Sequence, residues 1–226
     1  MNRREFVSIG AVAVAGAVLN ADDSIVKSSI KPLHPDVLFI QPLKITPKQL
    51  TGLSEKMILS HYNNNYGGAV KRAKLIEEKI TLLDPNSNPF ELGSLKREQM
   101  VAFNSMILHE YYFDNLGSSG QISTVLQKGL ETSFGSVSAW ESEFKKMALS
   151  LSGGSGWALL VYNERLKRLE NVWSWDHMHG LWDSKIVIAL DMYEHSYQMD
   201  FGANAKGYVD TFFSNLNWDI INQRII

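Results

Sequence analysis

The chain has 226 residues, 45% of them hydrophobic and 20% charged, an ordinary globular composition far from the disordered range. Its formal charge of −2, with lysines and arginines scattered along the chain, excludes a clustered basic face and with it nucleic acid as a partner. The absence of cysteine removes disulfides, thiolate metal sites and cysteine nucleophiles together, so any metal must be held by His, Asp or Glu, and the histidines are only His34, His61, His109, His177, His179 and His195.

Asn2-Arg3-Arg4-Glu5-Phe6-Val7 sets a twin arginine before a mildly apolar run, Phe6 to Leu19, that is too short for the roughly 20 residues of a membrane-spanning helix. Residues 1–21 therefore read as a removable export signal of the twin-arginine type, with Ala15-Gly16-Ala17 or Ala21 at the cleavage point. A buried N-terminal helix is the alternative. The export reading implies a periplasmic protein with no stable membrane anchor after cleavage.

Residues 22–50 are polar and carry Pro32, Pro35, Pro42 and Pro47, which predicts an extended arm. Ser54 is the expected N-cap of a helix that places Met57, Ile58 and His61 on one face and continues an apolar stripe through Val70, Ala73, Leu75 and Ile76. Gly67-Gly68 interrupts that stripe and predicts a kink or a close approach of two backbones. Beyond the loop at 85–89, a second long helix is expected from about Lys96 to Leu116, closed by Gly117. Met100, Phe103, Ile107 and Leu108 form its apolar side, with His109 among them. Together these helices make a hairpin domain, residues 51–120.

Residues 121–226 change character. A short amphipathic helix is expected over Ala139–Leu149, then strands over Trp157–Tyr162, Leu169–Trp175 and Lys185–Leu190, the last dense in β-branched residues. Two terminal helices follow, the last ending near Asn217-Trp218-Asp219. The expected fold class is α+β: an N-terminal antiparallel helical hairpin followed by a three-stranded antiparallel sheet surrounded by helices.

The chemistry concentrates in Asp191-Met192-Tyr193-Glu194-His195-Ser196-Tyr197. A carboxylate at a strand end and an imidazole four residues later can converge on a metal, although the same spacing also serves a surface hydrogen bond. Here the sequence resembles a family: Asp191, Glu194, His195 and Tyr197 match the D-x-W-E-H-x-Y signature of the iron/manganese superoxide dismutases, with Tyr193 in place of Trp. The likeness runs over roughly residues 40–222. It takes in Ser54-Glu55 through His61-Tyr62, the run His109 to Leu116, Phe134-Gly135-Ser136, Gly154-Ser155-Gly156-Trp157-Ala158, Tyr208-Val209-Asp210 and Asn217-Trp218-Asp219.

The resemblance implies that His61, His109, Asp191 and His195 hold one iron or manganese ion per subunit, and mixed nitrogen and oxygen ligands suit either metal. It also implies superoxide as substrate and a homodimer in which Glu194 reaches the partner subunit's His195. The family places a Gln or His near Trp175-Asp176-His177-Met178-His179, hydrogen-bonded to solvent on the metal; His177 takes that role, with His179 as the alternative. Three positions depart from the family: Ala69 stands where relatives carry a Tyr at the substrate approach, Asn65 where they carry a His, and Gln198 where they carry a Tyr. The family's His and Tyr meet across the dimer interface, and the amides of Asn65 and Gln198 could form an equivalent bond. Tyr66 is the candidate for the missing aromatic wall. The competing readings are a non-catalytic metal-binding or interaction protein that retains the fold, and a zinc hydrolase, for which no H-E-x-x-H helix is present.

Overall fold

The computed structural model describes residues 38–225; the segment expected to be an export signal, with its expected cleavage point, His34 and the first part of the arm lie outside the described residues. In the arm that is described Leu38 is buried, and Gln41 ties it to the helical hairpin, its amide donating to the Tyr66 hydroxyl at 2.8 Å and its carbonyl accepting the Tyr62 hydroxyl at 2.7 Å.

Ser54 does cap the first helix, α1 (Glu55–Ser60), its hydroxyl accepting from the Met57 amide. Asp200 holds the cap in place, taking the Ser54 N–H at 2.6 Å and its hydroxyl at 2.7 Å. The helix then widens into a π-helical segment, His61–Tyr66, before resuming as α2 (Gly67–Thr81). The irregularity expected at the glycine pair is therefore this wide turn just ahead of it, a feature that recurs at functional sites because it re-aims the side chains it carries. A Cβ built on Gly67 would lie 3.4 Å from the Ile40 side chain, an ordinary contact distance, and one built on Gly68 would meet nothing within 4 Å.

The second helix, α3 (Pro89–Asp114), starts well before Lys96, with Asn88 capping it and Pro89 in the first turn. Its opening turns expose Phe90 and Leu92, so no apolar stripe announces them. Leu75, Met100 and Ile107, expected on apolar faces, are also exposed. A helix that the periodicity did not predict, α4 (Thr124–Phe134), is capped by Ser123 and buries only Leu126 and Leu130. Gly135 ends it and Ser136 caps α5 (Val137–Leu149).

The sheet is antiparallel in the order β2-β1-β3, from β1 (Trp157–Asn163), β2 (Arg168–Ser174) and β3 (Ser184–Asp191). The central strand β1 is covered on both faces, which is why its run WALLVY is apolar throughout. Register sets Trp157 opposite both Ser174 and Asp191, so the end of β3 stands beside the start of β1. Gly156, just ahead of Trp157, has φ +140°, and a Cβ there would sit 2.4 Å from the Ser174 carbonyl oxygen; only glycine allows the two strands to meet so closely.

After β3 come a 3-10 turn (Glu194–Ser196), α6 (Gln198–Phe201), α7 (Ala205–Ser214) and α8 (Trp218–Asn222). Asn217, expected near the end of the last helix, instead caps its start, accepting from the Ile220 amide. One hydrophobic core runs through hairpin and sheet alike, with Tyr112, Phe144, Trp157 and Phe212 fully buried in it. Asn115 ties the halves together: its side-chain amide donates to the Ala189 carbonyl at 2.8 Å and its own carbonyl accepts from the Asn217 amide at 2.7 Å.

Candidate metal centre

His61 opens the π-helical segment, His109 lies on the buried face of α3, Asp191 ends β3, and His195 sits in the 3-10 turn beyond it. The fold brings these four, from three separate parts of the chain, into one cluster in which one ligand atom from each residue lies within 4.8 Å of the others. Asp191 Oδ2 is the point of convergence, with His61 Nε2 at 3.1 Å, His195 Nε2 at 3.2 Å and His109 Nε2 at 3.6 Å. The other carboxylate oxygen, Oδ1, is taken by the Tyr193 amide at 2.8 Å. The Asp191 main chain is fixed as well, its carbonyl accepting the hydroxyls of Ser196 and Tyr208, both at 2.8 Å.

Hydrogen-bond chemistry sets the tautomer at His109. Its Nδ1 lies 2.6 Å from the Ser105 carbonyl, which can only accept, so the proton is on Nδ1. Its Nε2, buried and without a protein partner, carries a bare lone pair aimed at the cluster. Three imidazoles and one carboxylate around a shared point are a mixed nitrogen and oxygen donor set that suits iron or manganese in its 2+ or 3+ state. The donor set fits the metal. The far nitrogen of His61, Nδ1, is also buried without a protein partner.

His177 lies beside this cluster, its ring 6.2 Å from that of His109 and stacked 4.9 Å from Tyr193. Trp157 Nε1 donates to its Nδ1 at 2.9 Å. An indole N–H cannot accept, so the His177 proton sits on Nε2 and the ring is held as a neutral donor at its other edge. Burial lowers its pKa further, against the pull of Asp191 and Asp176. His179 points away, its Nδ1 2.6 Å from Asp176 and its Nε2 taking the Trp175 indole proton at 2.8 Å. Tyr193, known from sequence only as a mismatch to the signature, stacks between His177 and His195; burial and the Asp191 charge push its hydroxyl up to about 12.

A cavity of about 750 Å³ opens beside His177 and Tyr193, with Asn65 and Ala69 in its lining. Tyr66 is not part of that wall. The tyrosine faces the arm instead, its hydroxyl donating to Glu110 at 2.9 Å and accepting from the Gln41 amide at 2.8 Å. Glu194 and Gln198 are exposed, and the His195 side chain keeps 30% of its surface accessible on the same side of the turn.

The pH response of the metal-free protein follows from the histidines. Burial, then the neighbouring His61, lowers His109 from 6.5 to about 3, and burial lowers His61 as well. Burial alone would raise the Asp191 carboxyl, but hydrogen bonds from His195 and His61 outweigh it and hold it well below the carboxylate range. Unfolded histidines take up protons near pH 6.5, whereas His109 in the fold does so only near 3. Between these limits the unfolded chain binds more protons, so folding stability must fall as pH falls. Urea unfolding of the metal-free protein should show a lower midpoint at pH 5 than at pH 7; an unchanged or higher midpoint would contradict the burial of neutral imidazoles.

The family model described as "Iron/manganese superoxide dismutases, C-terminal domain" matches residues 122–224. A protein of Cupriavidus metallidurans named superoxide dismutase (Fe) is 53% identical over 180 residues, which cover 79% of this chain and 91% of that one. The protein of that name from Aquifex aeolicus is 32% identical over 197 residues, 82% of this chain and 90% of the relative. A superoxide dismutase (Mn) of Haloarcula marismortui is 32% identical over 173 residues, covering 74% and 82%.

Proposed function

We propose a function from one premise: this chain belongs to the iron/manganese superoxide dismutase family. It is an oxidoreductase that converts two superoxide ions and two protons to dioxygen and hydrogen peroxide, with one iron or manganese ion per subunit. Bound metal supplies the one-electron redox couple that serves both halves of the reaction. The residues assigned to hold it are His61, His109, Asp191 and His195, and the observation that carries the assignment is the meeting of three imidazole Nε2 atoms around one carboxylate oxygen of Asp191.

The chain's own part is to set charge and move protons. Asp191 contributes one negative charge, which favours the higher oxidation state of an ion bound there. His177 is the proposed hydrogen-bond donor beside the metal, supported by the indole that fixes its proton on Nε2 and by the stacking of Tyr193. His179, spent on Asp176 and Trp175, is less suited to that role. Asn104 steadies the donor, its amide reaching the His177 carbonyl at 2.6 Å.

Two further assignments rest on the sequence together with the exposed face around His195. Glu194 and Gln198 stand outward beside this partly accessible ligand, which favours a homodimer closing over it, with Asn65 as the candidate amide partner of Gln198. In that case Glu194→Ala should lower the sedimentation coefficient from the dimer value toward the monomer value, and an unchanged coefficient would remove Glu194 from the interface. The twin arginine at Arg3-Arg4 favours export to the periplasm. Replacing both with lysine should strand the protein in the cytoplasmic fraction, and normal export of the variant would dismiss this route.

The roles separate in an assay of superoxide decay paired with metal analysis. Asp191→Asn should leave the purified protein without stoichiometric iron or manganese. His177→Ala should keep the metal but slow dismutation about 10- to 100-fold. Full-rate dismutation by the His177 variant would refute the donor role, and parent protein loaded with either metal that fails to speed superoxide decay would refute the enzymatic reading.

A further inference from the structure

The cavity beside His177, at about 750 Å³, is far larger than a diatomic anion fills. Its lining holds three cations, Lys71 and Arg72 from α2 and Arg97 from α3. Facing them is one available carboxylate, Glu98, which both arginines contact. The second carboxylate in the lining, Asp176, is turned into its own loop, accepting from the Met178 amide and His179, both at 2.6 Å. Lys71 has no ion-pair partner among the described residues. The lining's three cations and two carboxylates leave one formal positive charge, carried by the unpaired Lys71, and such a charge favours an anionic occupant.

Shape points the same way. Two adjacent residues of the wall, Gly68 and Ala69, have almost no side chain. Gly68 has ordinary helical backbone, and a Cβ built on it meets nothing within 4 Å. Nothing in the packing requires glycine there, and glycine weakens a helix; its effect is to keep the chamber open. Asn64 adds an amide donor on the same side. The Arg72–Glu98 contact shows that the rims contributed by α2 and α3 stand close enough for one ligand to touch both.

We propose that this cavity is a binding site for a small polyatomic oxyanion of about phosphate size, held between Lys71, Arg72 and Arg97 with help from the amide of Asn64, beside the metal rather than on it. The two oxygens of Glu98 already touch a cation on each helix, and a polyatomic oxyanion offers further oxygens that can reach Lys71 as well. An anion lodged there would share the approach to His177 with superoxide.

The test is phosphorus-31 resonance of inorganic phosphate titrated into the iron-loaded protein at constant ionic strength set with chloride. Bound phosphate lies near a paramagnetic ion, so its line should broaden saturably. The readout does not involve turnover, so it stands or falls separately from the dismutase reading. Lys71→Gln with Arg72→Gln should weaken the saturable binding about tenfold. Gly68→Leu keeps every charge, fills the chamber from a position with open space and strengthens the helix, and it should abolish binding. Broadening that never saturates, or saturable binding that both variants retain at the parent affinity, would overturn the proposal.

Discussion

A carboxylate buried beyond reach of water is the constraint from which this structure is organised. The Asp191 side chain is fully enclosed, and an unpaired charge in that position would be strongly destabilising. The fold meets the problem with three imidazoles on one oxygen and a main-chain amide on the other. Neutral imidazoles alone do not balance the charge, whereas a bound cation does, so the same arrangement that makes the site able to bind metal also gives the folded protein reason to keep it.

Placing that carboxylate engages much of the chain. The close approach at Gly156 lets β1 start hard against the end of β2, while the Gly156 carbonyl takes the Met192 amide at 2.9 Å and the Trp157–Asp191 register sets the carboxylate at the end of β3. Tyr208 and Ser196 grip its carbonyl from the terminal segment, while Asn115 binds the end of the His109 helix to β3 and to the turn ahead of α8. Trp157 serves twice: its register partner is the carboxylate, and its indole sets the tautomer of His177. The geometry of the metal cluster and that of its neighbouring donor are thus two outcomes of one strand pairing.

The sequence exposed what local pattern encodes. The Ser54 cap, the apolar run of β1 and the Asp191/His195 spacing are each set within a few residues, and each is found in the structure. What escaped depends on contacts between distant segments or on positions that pattern treats as neutral. The first turns of α3 and all of α4 bury too few side chains to show a stripe, so caps at Asn88 and Ser123 were the available signals. The wide turn at His61–Tyr66 leaves no mark in composition, and that turn carries both a cluster histidine and a tyrosine that faces the arm instead of the cavity. The Trp157–His177 bond spans twenty residues and two strands, and it becomes visible only once the register is known. Tyr193 was legible as a departure from a signature but not as the ring stacked on two histidines.

The most direct measurement is X-ray diffraction from metal-loaded crystals, with anomalous data collected on either side of the iron or manganese absorption edge. This account predicts one anomalous peak per subunit, at bonding distance from the Nε2 atoms of His61, His109 and His195 and from Oδ2 of Asp191. A peak elsewhere in the molecule, or one that leaves any of those imidazoles unbound, would contradict it.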